Sequence, residues 1–121
     1  PRTIRYYEEV GLITPVRPDG RRSRLFNAFH LKLISDIQQL ASLGFALEEI
    51  KQIMALKRVF FDQSGQERKW RTGEVPLDAQ TLDALRRKTL SVMENIRSQE
   101  AFLERVSSFL SMFISEQEEQ A

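Results

Sequence analysis

The sequence predicts an all-α fold with one small β-hairpin, and three observations carry that prediction. Helical periodicity runs through a short opening stretch and two further stretches in the middle of the chain. Asp19-Gly20 sits between two short arms of an arginine-rich segment. An apolar repeat of heptad type extends from Leu82 to Phe113. Apolar residues recurring three and four apart mark helices, whereas Asp-Gly between extended arms marks a tight hairpin turn.

The bulk properties bound the answer. At 121 residues the chain has the length of one domain, and its high charged fraction is compatible with a folded protein. The formal net charge of +1 hides an uneven distribution. Up to Phe26, Arg2, Arg5, Arg17, Arg21, Arg22 and Arg24 face only Glu8, Glu9 and Asp19, whereas the part after Pro76 is acidic overall and closes on Glu116, Glu118 and Glu119. A basic head suits a polyanion and an acidic tail suits solvent. The sequence contains no Cys, which excludes disulfides, thiolate metal sites and iron–sulfur clusters within it. No run is apolar and long enough to span a membrane and the start does not read as a secretory signal, so a cytoplasmic protein is expected.

The first helix is expected between Pro1 and Gly11. Proline suits a first helical turn and glycine the left-handed residue that ends one. Ile4, Tyr7 and Val10 recur three apart and form an inward face, leaving Arg2, Thr3, Arg5 and Tyr6 to the side or opposite. That outward set can bond phosphates and base edges. Taken alone, the same residues also fit an ordinary amphipathic helix with solvated arginines. The inward face has no earlier partner in sequence, so a further segment is expected ahead of Pro1.

The hairpin, or wing, is expected between Thr14 and Phe26. Pro15 and Pro18 confine its first arm to an edge, and Arg17, Arg21, Arg22 and Arg24 repel one another on so small a ribbon unless an anion lies nearby. A loop with solvated charges is the alternative. Asn27 then caps a helix from Ala28 whose stripe is read as Leu31, Ile34, Ile37 or Gln38, and Leu40 or Ala41; Gly44 ends it. Phe45 falls in the break. Leu47, Ile50, Ile53, Met54 and Leu56 restart the period, with Glu48 and Glu49 complementing the dipole of the first turn. His30 has no ligand-type neighbour at metal spacing and is expected to be solvated or to cap the helix, so no metal site is predicted.

Residues 57–77 break the pattern and read as a connector. Phe60, Phe61 and Trp70 stand among cations there, an arrangement that can line an effector pocket or cover a core edge. From Asp78 the period becomes regular: Leu82, Leu85, Thr89, Val92, Ile96, Gln99, Leu103, Val106, Leu110 and Phe113 form an a/d seam of coiled-coil type. A helix from Asp78 to Glu116 is on the order of 60 Å long, too long to bury against a small head, so it calls for a second long helix. Met93, Phe102, Phe109 and Ile114 widen the seam. Residues 117–121 read as a frayed acidic tail.

In this order the pieces resemble the MerR family of bacterial transcription regulators. The residues that carry the resemblance are Thr3-Ile4-Arg5-Tyr6-Tyr7-Glu8 with Gly11-Leu12, then Pro15 and Arg17, then Arg24-Leu25-Phe26, then Leu40-Ala41-Ser42-Leu43-Gly44-Phe45-Ala46-Leu47-Glu48-Glu49-Ile50. The resemblance implies a winged helix-turn-helix DNA-binding head over 1–56, opened by an earlier helix that packs on Ile4 and Tyr7. A connector follows over 57–77 and a dimerisation helix over 78–116. It further implies that Arg2, Thr3, Arg5, Tyr6 and Tyr7 meet promoter DNA, and that the wing arginines Arg17, Arg21, Arg22 and Arg24 grip the neighbouring backbone. Two heads joined by an antiparallel coiled coil through Leu82, Leu85, Val92, Ile96, Leu103, Val106, Leu110 and Phe113 would read a palindrome. The expected mechanism is distortion of an overlong promoter spacer for RNA polymerase. Arg22-Ser23 stands where the family has Gly-Tyr before the wing arginine, which departs from its aromatic wing contact. No cofactor is implied, and an effector, where there is one, would be organic rather than thiolate-bound.

The alternative is a coiled-coil interaction adaptor whose basic head meets an acidic partner without specific DNA recognition. It uses the same charges but predicts no preference for one duplex over another. An enzyme is not expected, because the sequence shows no nucleophile–base pair and no phosphate loop.

Overall fold

The computed structural model describes residues 2–13 and 28–120, with residues 2–4 described by their backbone alone. It contains α1 (Arg2–Glu9), α2 (Ala28–Ser42), α3 (Leu47–Phe60) and α4 (Ala79–Gln120), with a 3-10 turn at Thr72–Glu74. The wing expected between Thr14 and Phe26 lies outside the described residues. Among the described residues there is no strand, only an isolated antiparallel bridge between Phe61 and Glu67. The chain divides into two compact units, Pro1–Ala79 and Gln80–Ala121.

In the first unit, α1 and α2 end in the same way. Gly11 takes φ 79°, its N–H reaches Glu8 O at 3.1 Å, and the N–H of Leu12 reaches Tyr7 O at 2.8 Å. After α2, the N–H of Gly44 reaches Ala41 O and that of Phe45 reaches Leu40 O, both at 3.1 Å. This paired bonding satisfies carbonyls left open at a helix end, and its left-handed residue strains any side chain bearing a Cβ. The residue after each glycine, Leu12 or Phe45, is buried. Each turn therefore both stops a helix and inserts an apolar anchor into the core.

α2 and α3 form the core of this unit. The inward face of α2 is His30, Leu33, Ile34 and Ile37, and α3 contributes Ile50 and Met54, the latter 1% exposed. This corrects the stripe expected from sequence, because Leu31 is exposed and Leu33 takes its place. Residues 30, 33, 34 and 37 hold the same three-and-four spacing in a shifted phase, so periodicity alone admitted both. His30 is likewise buried rather than solvated. At the start of α3, Glu49 Oε1 accepts the N–H of Ala46 at 2.7 Å, which satisfies a donor the helix cannot use itself. Lys57 Nζ meets Asp36 Oδ2 at 2.6 Å, a half-buried pair between α3 and α2 that contributes about 1 kcal/mol.

α3 runs to Phe60, beyond the end expected near Leu56, with Lys57 and Arg58 in its last turn. Cations at that position complement the negative end of the helix dipole. The loop that follows is tied down locally. Asp62 Oδ1 accepts from Ser64 N–H and Oγ at 2.9 Å each and from Gln66 N–H at 3.0 Å. Arg68 donates through Nη1 to Val59 O at 3.0 Å and through Nη2 to Glu74 Oε2 at 2.7 Å.

The second unit is α4. Its 42 residues span about 60 Å. Among its described residues only Leu85 is buried. Ile96, Leu103, Leu110 and Phe113 are exposed, as are Phe102 and Phe109 beside them. Arg86 and Arg87 pair with Asp83 at 2.9 and 3.0 Å, holding the Asp83 carboxyl below its ordinary range. The helix continues to Gln120, through residues expected to fray, because Glu and Gln are good helix formers and neither Gly nor Pro occurs after Pro76. No described helix is long and apolar enough to cross a membrane.

Candidate nucleic-acid interface

The first candidate surface is the outer side of α1. Arg5 is exposed and Tyr6 is 49% exposed, whereas Tyr7 and Val10 are half-buried. The Tyr6 and Tyr7 rings lie 5.9 Å apart with their planes inclined by 55°, so one phenol faces outward while its neighbour turns towards the head. The helix is anchored at its end by Leu12 and Ile13, both nearly inaccessible. Arg58 Nη1 from α3 donates to Gly11 O at 3.2 Å, fixing the same corner. An arginine and a tyrosine presented side by side on an anchored helix can bond phosphate oxygens and base edges.

Of the residues expected to contact DNA, Arg5 and Tyr6 are exposed and Tyr7 is half-buried. The side chains of Arg2 and Thr3, and all of Arg17, Arg21, Arg22 and Arg24, lie outside what is described.

The second candidate region is a cavity of about 420 Å³ beneath the end of α1. Of the three aromatics expected to form an effector pocket, only Phe61 lines it. Phe60 stands edge-on to Phe61 at 4.8 Å and is exposed, and Trp70 is 46% exposed and is not among the lining residues. Sequence reasoning missed Leu33, Met54, His30 and Arg58, which also line it. These residues come from two helices, α2 and α3, and no spacing within one stretch marks them. Hydrogen bonds from Gln66 N–H and the Ser64 hydroxyl hold the Asp62 carboxyl at the rim below its ordinary range, and Arg68 together with Arg71 N–H does the same for Glu74. Among the described residues, no group of three or more His, Asp or Glu side chains is placed to hold a metal.

A short helix that presents Arg5 and Tyr6 and ends on a left-handed glycine, followed in the chain by a two-helix hairpin, fits a helix-turn-helix architecture. Residues 1–57 match the family described as MerR HTH family regulatory protein. Three relatives illustrate the likeness. The HTH-type transcriptional regulator HmrR of Rhizobium leguminosarum bv. viciae is 42% identical over 55 residues, 46% of this chain and 42% of the relative. The ZntR homolog of Haemophilus influenzae is 37% identical over 62 residues, 51% of this chain and 46% of the relative. The regulator GlnR of Bacillus anthracis is 39% identical over 56 residues, 46% of this chain and 43% of the relative. The matches therefore span less than half the length of these relatives. No solved structure shows a significant match to the chain.

Proposed function

We propose that the protein is a sequence-specific DNA-binding transcription regulator of MerR type. It binds a palindromic promoter element as a homodimer and acts by distorting the DNA. The observation that carries this reading is the exposed Arg5–Tyr6 pair on anchored α1, inside the stretch that matches the family. On this reading Arg2, Thr3 and Tyr7 also contact the DNA, and Arg17, Arg21, Arg22 and Arg24 hold the flanking phosphates. Each phosphate contact releases counterions, so affinity falls steeply with salt. The strip of α4 through Leu82, Val92, Ile96, Leu103, Val106, Leu110 and Phe113, of which Leu82, Val92 and Val106 are half-buried and the rest exposed, supplies the dimer contact, with a second copy running antiparallel. A dimer carries two heads, and two heads require two half-sites at a fixed spacing. RNA polymerase is the enzyme that uses the distorted promoter, the cytoplasm is where both are found, and a small organic effector or a partner controls the change.

Recovery of bound genomic fragments tests this reading, followed by anisotropy titrations of the enriched duplex against a scrambled one. The expected result is enrichment of a two-half-site sequence with at least ~10³-fold preference at physiological salt. Equal affinity for both duplexes at low salt would remove the regulator reading in favour of an adaptor with a basic head.

A further inference from the structure

We propose that the cavity beneath α1 is a binding site for a small amphipathic anion, an aromatic body carrying one carboxylate. The inference rests on the regulator reading only in naming that ligand an effector; the site itself stands on its geometry. The space, about 420 Å³, falls in the range of small-molecule pockets. Its apolar lining is Leu12, Ile13, Leu33, Met54, Phe29 and Phe61, contributed by the turn after α1, by α2 and α3, and by the loop after α3. The rings of Phe29 and Phe61 stand 5.9 Å apart at 55°, so two aromatic faces meet a flat ligand at different angles.

The polar lining is dominated by cations. Among the described residues, Lys57, Arg58 and Arg68 line the cavity against a single carboxylate, Asp62. Two of the three cations are already engaged in ion pairs, Lys57 with Asp36 at 2.6 Å and Arg68 with Glu74 at 2.7 Å. Arg58 differs. Among the described residues it makes one hydrogen bond, from Nη1 to the carbonyl of Gly11, with no carboxylate partner. A guanidinium has five N–H donors, and its planar fork suits a carboxylate. Asp62 does not compete for it, because its Oδ1 accepts three hydrogen bonds from Ser64 and Gln66 within its own turn. The apolar lining thus sets the body of the ligand and Arg58 sets its charge.

The wall beside Phe29 is held by a close approach. A Cβ on Gly65, which takes φ 87°, would stand 2.9 Å from Phe29 Cδ1, so the loop after α3 lies directly on that ring. Any larger residue at 65 displaces Phe29, whose ring lines the cavity.

The three methionines supply a direct assay on the whole protein, because Met54 lines the cavity while Met93 and Met112 lie on α4. With methionine methyls labelled by carbon-13, 1-naphthoate is titrated and naphthalene-1-methanol serves as its neutral counterpart. Naphthoate is expected to shift the Met54 methyl resonance in a saturable way and to leave Met93 and Met112 in place. Arg58→Gln is expected to weaken naphthoate about tenfold and the alcohol less than about twofold, since it removes a charge-assisted bond and not the apolar lining. Arg58→Lys should recover part of the loss, and Arg105→Gln, on α4 beside the exposed Phe102, should have no effect. No Met54 shift up to millimolar naphthoate would overturn the site. So would equal weakening of acid and alcohol by Arg58→Gln, or shifts confined to Met93 and Met112. Duplex binding measured on the same sample separates the two readings: DNA binding without a Met54 shift removes only the cavity proposal, and a Met54 shift without DNA binding removes only the regulator.

Discussion

In the Pro1–Ala79 unit, Ile37 and Met54 are covered by neighbouring elements of the same unit, whereas in the Gln80–Ala121 unit Leu103, Leu110 and Phe113 are each more than half exposed. Both stretches are rich in apolar residues at helical spacing, so composition does not separate them. Interruption does. Gly11 and Gly44 stop short helices and turn an apolar anchor inward, which lets α2 and α3 face each other. After Pro76 nothing stops α4, and one uninterrupted helix cannot fold back on itself. The first unit therefore draws its burial from its own chain, while on the proposed reading the second draws it from another copy.

The sharpest way to break that contrast is a charge in the middle of the α4 strip. Ile96→Asp should reduce the protein to the 14.1 kDa monomer in light scattering, weakening association by roughly a hundredfold or more, because an unpaired carboxylate in an apolar seam has no partner. A mass unchanged from that of a dimer would remove the strip from the interface.

A deletion in the head should do the reverse. Met54→Ala is expected to lower unfolding stability by about 3 kcal/mol, the usual cost of emptying a packed core position, and to leave the oligomeric mass unaltered. Urea unfolding followed through Trp70 checks it. A loss below about 1 kcal/mol would mean that the site is loosely packed.

Gly11→Ala addresses the turn that anchors α1. Nothing lies within 4 Å of an added Cβ, so the cost is backbone strain at φ 79° alone, about 1 kcal/mol. DNA affinity should fall with it as the anchored corner loosens, and an unaffected melting temperature would show that the corner tolerates the change.

The smallest effect concerns the loop over 61–74. The carboxyls of Asp62 and Glu74 are held below their ordinary range by hydrogen bonds from Gln66, Ser64 and Arg68. A depressed carboxylate contributes stability that is present above its unfolded value and is lost as pH falls through the folded one. Trp70 fluorescence should therefore report a loosening of the loop on acidification from about pH 5 towards pH 3, with no change at higher pH. A transition confined to neutral pH would point to another group.

Much of this architecture was legible in the sequence because its signals are local. Glycine at positions 11 and 44 marks helix ends through backbone conformation, and the absence of Gly and Pro after Pro76 marks one long helix. What was not legible depends on residues far apart in the chain. Leu33 and Leu31 both suit helical spacing, and only packing against α3 selects Leu33. The last turn of α3 is held by Lys57 on Asp36, a pairing across 21 positions that no window of sequence contains. His30 carries no mark of burial in its neighbours. Phe60, Phe61 and Trp70 lie close in sequence, yet Phe61 joins Phe29 and Met54 only once α2 and α3 have closed.

The central claim is that α1 reads DNA, and one substitution tests it most directly. Arg5→Ala, compared with the unmodified protein by anisotropy on the enriched duplex and on a scrambled one, should weaken specific binding by about 1–3 kcal/mol and non-specific binding by much less. Equal losses on both duplexes would assign Arg5 to the phosphate backbone, and no loss on either would contradict the placement of α1 in the interface.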